Sequence, residues 1–166
     1  SNYCNVSFLG LNDSQWGGIN IREDGILTLL GTNNTVENCT IDGELLGLTI
    51  ANSDITNCEI NVSNGDILIS NCNLVNTFIS IMNPESPERF VDITGNTMNG
   101  YGISNPGISI IGYKNYDIYD NVIHDYLQGI SLVYCGLATG TKSITDNIIE
   151  EIDGPGLRLY NTFASV

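Results

Sequence analysis

The stretch IYDNVIHDYLQGISLVY, residues 118–134, joins two short phrases that recur along the chain. The first reads IYDNVI at 118–123 and returns as VENCTI at 36–41, ITNCEI at 55–60, ISNCNL at 69–74, ITGNTM at 93–98 and ITDNII at 144–149. Its fourth position is Cys39, Cys58, Cys72, Asn96, Asn121 and Asn147, at spacings of 19, 14, 24, 25 and 26 residues. The second phrase is LTI at 48, ISI at 79 and at 108, ISL at 130 and LRL at 157. Each copy alternates apolar with small polar residues, which suits a strand that rests one side on a core. No copy is long enough to bury that side alone. Stacking copies buries it in a continuous column and brings strands within hydrogen-bonding distance, about 4.8 Å apart. The reading is an all-β chain folded as a β-solenoid, one domain over residues 1–166.

Composition agrees. The 166 residues include 23 Ile and 22 Asn against five Lys and Arg, which favours strands and turns over helices. Glycine-containing turns at Asp24-Gly25, Asp42-Gly43, Asn64-Gly65, Asn99-Gly100 and Asp153-Gly154 separate the phrases where positive φ is needed. Asn96, Asn121 and Asn147 share one register, so each amide is expected to donate to the next. Cys39, Cys58 and Cys72 are expected to continue that line as small apolar fillers, and to remain thiols because stacked parallel neighbours offer poor disulfide geometry.

A formal net charge of −14 argues against a nucleic-acid partner and disfavours anionic lipid. No apolar run approaches the ~20 residues that span a bilayer. The five cysteines contain no CxxC pair, so no metal site is expected.

The phrases I-x-N/D-N-x-I and G-I-S-I/L, at spacings near 24, resemble the right-handed parallel β-helix repeats of the pectin-lyase-like superfamily across about residues 25–160. The resemblance implies a right-handed, single-stranded parallel β-helix of about six to seven coils. Members of that superfamily include polysaccharide lyases, hydrolases and epimerases, and also phage tail proteins, adhesins and other surface proteins. The polygalacturonase pattern of paired aspartates with G-H-G and R-I-K, the D-P-H of mannuronan epimerases and the GGxGxD calcium loops of toxin-type repeats do not occur in this sequence.

Solenoid loops of variable length are where function concentrates. Residues 82–92, 111–117 and 133–143 are long, come from consecutive copies and are expected to share one edge. They carry Arg89, Lys114 and Lys142, with Tyr113, Tyr116 and Tyr134 beside them and Glu85, Glu88, Asp92 and Asp117 along the same edge. Tyrosine rings and mixed charges suit a sugar chain. In an enzyme, Lys114, Lys142 or Arg89 would act as base or charge neutraliser, and Asp92, Asp117, Glu85 or Glu88 as acid or calcium ligand; superfamily lyases use such a base. No cofactor is required otherwise.

His124, the only histidine, falls beside Asn99 and Glu150 of neighbouring copies and is expected to face solvent in a turn. Thr56, Ser70, Thr94 and Thr145 form an expected outward row, interrupted by Glu37 and Tyr119, that an ice- or crystal-binding face would use. No capping helix is legible at either terminus, so partners are expected to be further copies or flanking domains docked on open β-helix ends. The chain is read as a segment of a larger protein or an assembling subunit. The expected function is a non-catalytic extracellular or cell-surface structural module that contacts polysaccharide; the alternative is a polysaccharide lyase or hydrolase fragment.

Overall fold

Inward apolar residues define the strands, and left-handed residues between them define the corners. A computed structural model describes residues 5–10, 15–17, 25–31, 34–37, 40–82, 89–135 and 140–162. Among these every regular element is a strand, and every strand pair is parallel.

Numbered along the chain, the strands stack in columns. The first sheet holds β1 (Asn5–Gly10), β3 (Gly25–Gly31), the second half of β5 (Thr40–Ala51), β8 (Asp66–Ser70), β11 (Phe90–Thr94), β13 (Asn115–Tyr119) and β15 (Lys142–Thr145). The second sheet has two columns. One runs through β2 (Gln15–Gly17), β4 (Asn34–Glu37), β6 (Ser53–Thr56), β9 (Asn73–Val75), the starts of β12 (Thr97–Ile111) and β14 (Val122–Val133), and β16 (Ile148–Glu150). The other takes the first half of β5, β7 (Glu59–Ser63), β10 (Phe78–Met82), the ends of β12 and β14, and β17 (Leu157–Tyr160). The arrangement is consistent with the β-solenoid that the periodicity predicts.

Three apolar files meet at the centre. Leu48, Ile67 and Val91 supply one wall, Ile55, Leu74, Met98 and Ile123 the next, and Ile60, Ile79, Ile108 and Ile130 the third, all buried. Each such side chain contributes about 1.5–3 kcal/mol on burial, and together the files outweigh any single polar contact.

The corners follow one stereochemical rule. A residue with positive φ points outward, and its successor turns a small polar side chain or thiol inward. The pairs Asn52-Ser53, Asn71-Cys72, Gly95-Asn96, Asp120-Asn121 and Asp146-Asn147 stack on one corner line, with φ of 51°, 53°, 64°, 55° and 57° at the first residues. The expected asparagine ladder is present. Asn96 Nδ2 donates to Asn121 Oδ1 at 2.9 Å, and Asn121 Nδ2 to Asn147 Oδ1 at 2.9 Å. The backbone N–H groups of Cys72, Asn96 and Asn121 donate to the amide oxygens of Asn96, Asn121 and Asn147 in turn, so each asparagine also closes the neighbouring chain segment.

The cysteine line differs from the sequence expectation. Cys72 does continue the ladder, but Cys58 lies on the second corner line, where its N–H donates to Thr77 Oγ1 at 3.1 Å. The 14-residue step from Cys58 to Cys72 therefore crosses two columns and is no repeat period. Likewise LTI at 48 lies in the first sheet, whereas ISI at 79 and 108, ISL at 130 and LRL at 157 share the third column. Cys39 falls outside the described residues. Cys58, Cys72 and Cys135 are buried thiols, and burial pushes the Cys72 thiol up to about 11.

Candidate functional site

The described parts of the three long connections do adjoin one another. Asn115 joins them: its Nδ2 donates to Arg89 O at 3.5 Å, and its Oδ1 accepts from Thr141 N at 3.2 Å. Phe90 pairs with Asn115, which sets Arg89 and Lys114, each one residue earlier, at the same end of neighbouring strands. Lys142 pairs with Tyr116, so it lies two residues further along the strand direction than Lys114. Arg89 and Lys114 thus hold the same register position beside the first sheet, and Lys142, in the register of Tyr116, does not. Glu85 and Glu88 fall outside the described residues.

Several candidate side chains are engaged by the fold itself. Arg89 Nη1 makes an ion pair with Asp66 Oδ2 at 3.0 Å, and the other Asp66 oxygen accepts from Phe90 N at 3.1 Å. Tyr113 and Tyr116, expected as surface platforms for sugar, are both fully buried. Tyr113 follows Gly112, whose φ of 83° makes it the outward corner residue, so Tyr113 takes the inward position that Cys135 holds one layer on. Its hydroxyl crosses the stack to donate to Gly65 O at 2.9 Å. Tyr116 follows the inward file between Val91 and Lys142. Burial pushes its phenol up to about 12.

Tyr134 is the exception. It is itself the left-handed corner residue, with φ of 54°, and its ring therefore stands outward, 50% exposed. It meets Tyr160 edge to face at a centroid distance of 5.6 Å.

Asp92 and Asp117 come together in register on the outward side of the first sheet, on β11 and β13. Desolvation, aided by the charge of Asp117, raises the Asp92 carboxyl above its ordinary value near 3.8. One Asp92 oxygen is shut off from solvent without a hydrogen-bond partner. The folded state therefore penalises ionised Asp92: its contribution to stability is full below the ordinary carboxylate value and is lost as pH rises through the raised one. Asp92→Asn should raise the urea midpoint at pH 7, with the gain shrinking as pH falls toward 4; equal midpoints at pH 7 would refute the strain. Among the described residues, no three Asp, Glu, His or Cys side chains are grouped to hold a metal ion.

His124 pairs with Asn99 on one side and Glu150 on the other, and sits half-buried between buried Ile123 and Asp125. That is the register read from the sequence. Ser70, Thr94, Tyr119 and Thr145 form one file on the first sheet, but Thr56 belongs to the second sheet between Glu37 and Val75, so the expected threonine row is split.

Three features have no counterpart in the sequence reading. Asp66 neutralises Arg89, and its place one period before Phe90 was the available signal. Tyr160 lies one period beyond Tyr134. The third is an open groove of about 500 Å³ at the second corner, whose lining includes Thr40, Glu59, Phe78 and Ile103. Ile103 belongs to a bulge of β12 between Asn99 and Pro106, which no phrase marks.

No protein-family description, curated protein or solved structure matches this chain.

Proposed function

We propose that the chain is a non-catalytic extracellular or cell-surface β-solenoid serving as a structural and assembly module, with glycan contact confined to the Tyr134–Tyr160 side. We further propose the finer architecture: a right-handed parallel β-helix of the pectin-lyase-like kind with about six to seven coils. Right-handed crossovers between parallel strands are almost universal, and the first sheet's file from β1 to β15 supports that number of coils. One observation carries the functional reading. The groups that would have met a sugar are engaged by the fold: Tyr113 is buried with its hydroxyl on Gly65 O, Tyr116 is buried in the core, and Arg89 is paired at the surface with Asp66. A panel of uronate and neutral polysaccharides, with and without calcium, should yield neither unsaturated products nor new reducing ends. Turnover that disappears in Lys114→Ala would overturn the reading.

The Asp92–Asp117 pair favours a second reading, a glycoside hydrolase. Register on adjacent parallel strands makes the two carboxylates near neighbours on one face, the kind of close pair that retaining enzymes use. Asp92, held protonated to higher pH, would be the acid and Asp117 the nucleophile. New reducing ends lost in Asp92→Asn would select it.

A further inference from the structure

The groove at the second corner follows from strand register. Glu59 on β7 stands opposite Thr40 of β5 on one side and Phe78 of β10 on the other. The next residues along, Ile41, Ile60 and Ile79, are fully buried, so alternation turns Thr40, Glu59 and Phe78 outward as one file. At the following strand the file is broken. There β12 leaves register between Asn99 and Pro106 and brings Ile103, which packs with Phe78 against the core, into the lining. Asn57 and Asn76, left-handed corner residues with φ of 54° and 49°, complete it. The resulting space of about 500 Å³ has the size of a small-molecule site.

Its chemistry is one-sided. Glu59 is half-buried, and among the described residues no hydrogen bond or ion pair engages its carboxylate. No Lys, Arg or His is among the described residues that line the groove. Asn76 Nδ2 donates to Asn57 Oδ1 at 2.8 Å, which leaves Asn76 Oδ1 as an acceptor. The lining therefore offers a negative charge, a second acceptor and two apolar side chains. We propose that the groove binds an organic ammonium ion, with its N–H groups on Glu59 and Asn76 Oδ1 and its apolar stem against Phe78 and Ile103. The contact to Glu59 is a charge-assisted hydrogen bond, and the Phe78 ring favours a cation over its face. Other occupants fit less well. An anion would meet Glu59 in a chain whose net charge is already −14. A neutral apolar molecule would cover Phe78 and Ile103 but strip water from Glu59 without replacing it. A neutral sugar brings hydroxyl donors but no opposite charge. A bare metal ion would find one carboxylate and, among the described residues, no group of three ligating side chains.

Titration of the ¹⁵N-labelled full chain with butylammonium tests this, with butanol, butyrate and glucose as neutral, anionic and sugar probes. Butylammonium should shift the amide resonances of Glu59, Phe78 and Ile103 saturably, with butanol weaker by about tenfold or more and butyrate and glucose without effect. Added salt should weaken butylammonium and leave butanol unchanged. Glu59→Gln, which keeps the side chain's shape, should bring butylammonium down to the level of butanol while the remaining resonances hold their wild-type positions. Glu150→Gln removes the same charge from the exposed face of β16 and should keep the preference, which separates the groove from the charge of the whole chain. Equal affinity for butylammonium and butanol, a preference that survives Glu59→Gln, one lost equally in Glu150→Gln, or glucose binding in its place would each overturn the proposal. So would the absence of any saturable shift at the groove by roughly 10 mM butylammonium.

Discussion

Replacing Asn121 by Ala is expected to cost about 2–4 kcal/mol, read as a drop in the urea midpoint, because it strands buried polar groups in two layers at once. Asn121 is fully buried. Its Oδ1 accepts from the Asn96 backbone N–H at 3.1 Å and from Asn96 Nδ2 at 2.9 Å. Its own amide donates to Ile93 O and Tyr119 O. Alanine fills neither role, and the site is shut off from solvent. Two comparisons separate this mechanism from simple loss of packing. Asn147→Ala removes the same chemistry at a half-exposed site, where water can substitute, and should cost under about 1 kcal/mol. Asn121→Thr should recover much of the loss, because Thr77 already closes a corner in the same way, its hydroxyl accepting from Cys58 N and reaching Val75 O at 3.0 Å. Equal losses for Asn121→Ala and Asn121→Thr would show that side-chain volume, not the hydrogen-bond ladder, holds the corner.

That interchangeability explains what could be read in the sequence and what could not. The phrase was visible because each corner demands the same pair, an outward left-handed residue and an inward small polar one. For the same reason it could not tell one corner from another. Asn57-Cys58 and Asn71-Cys72 look like successive copies of one repeat yet sit on different corner lines. The asparagines at 96, 121 and 147 were placed correctly because their spacing is a full circuit each time. The same arithmetic set His124 between Asn99 and Glu150. The tyrosines illustrate the opposite case. Tyr113 and Tyr134 both sit in long connections, and composition alone makes both candidates for a sugar platform. The residue before each decides: Gly112 takes the outward corner and forces Tyr113 inward, whereas Tyr134 takes the outward corner itself and leaves Cys135 inside. A Gly-Tyr pair in a corner position was thus a readable signal of burial, but only once the corner rule was known. The bulges after Asn99 and Ile103 had no such signal, since they lengthen the circuit without altering the phrases on either side.

Those bulges are where the second large effect is expected. Tyr126→Ala should destabilise by about 3–5 kcal/mol, the range for emptying an aromatic site that the surroundings cannot collapse to fill. Tyr126 lies on β14 opposite the bulge of β12, fully buried, and its hydroxyl reaches across to donate to Thr77 O at 2.5 Å. Burial raises its phenol well above the ordinary value near 10. The ring is accommodated by Gly100 in the neighbouring bulge of β12, where a Cβ would stand 2.8 Å from Tyr126 Cδ1. The backbone is thus drawn in against the ring at Gly100 and resists collapse there. Tyr126→Phe keeps the ring and removes only the bond to Thr77, so it should cost about 1–2 kcal/mol. Gly100→Ala approaches the same site from the other side, forcing a methyl group into both the ring and the Asp125 carbonyl, and should destabilise by at least about 1–3 kcal/mol. If the ring and the glycine act through one contact, combining Tyr126→Ala with Gly100→Ala should cost less than the sum, because the emptied space admits much of the new methyl. Strict additivity would mean that the Asp125 carbonyl alone excludes a side chain at Gly100. The ring would then be a passenger in a bend set by the backbone.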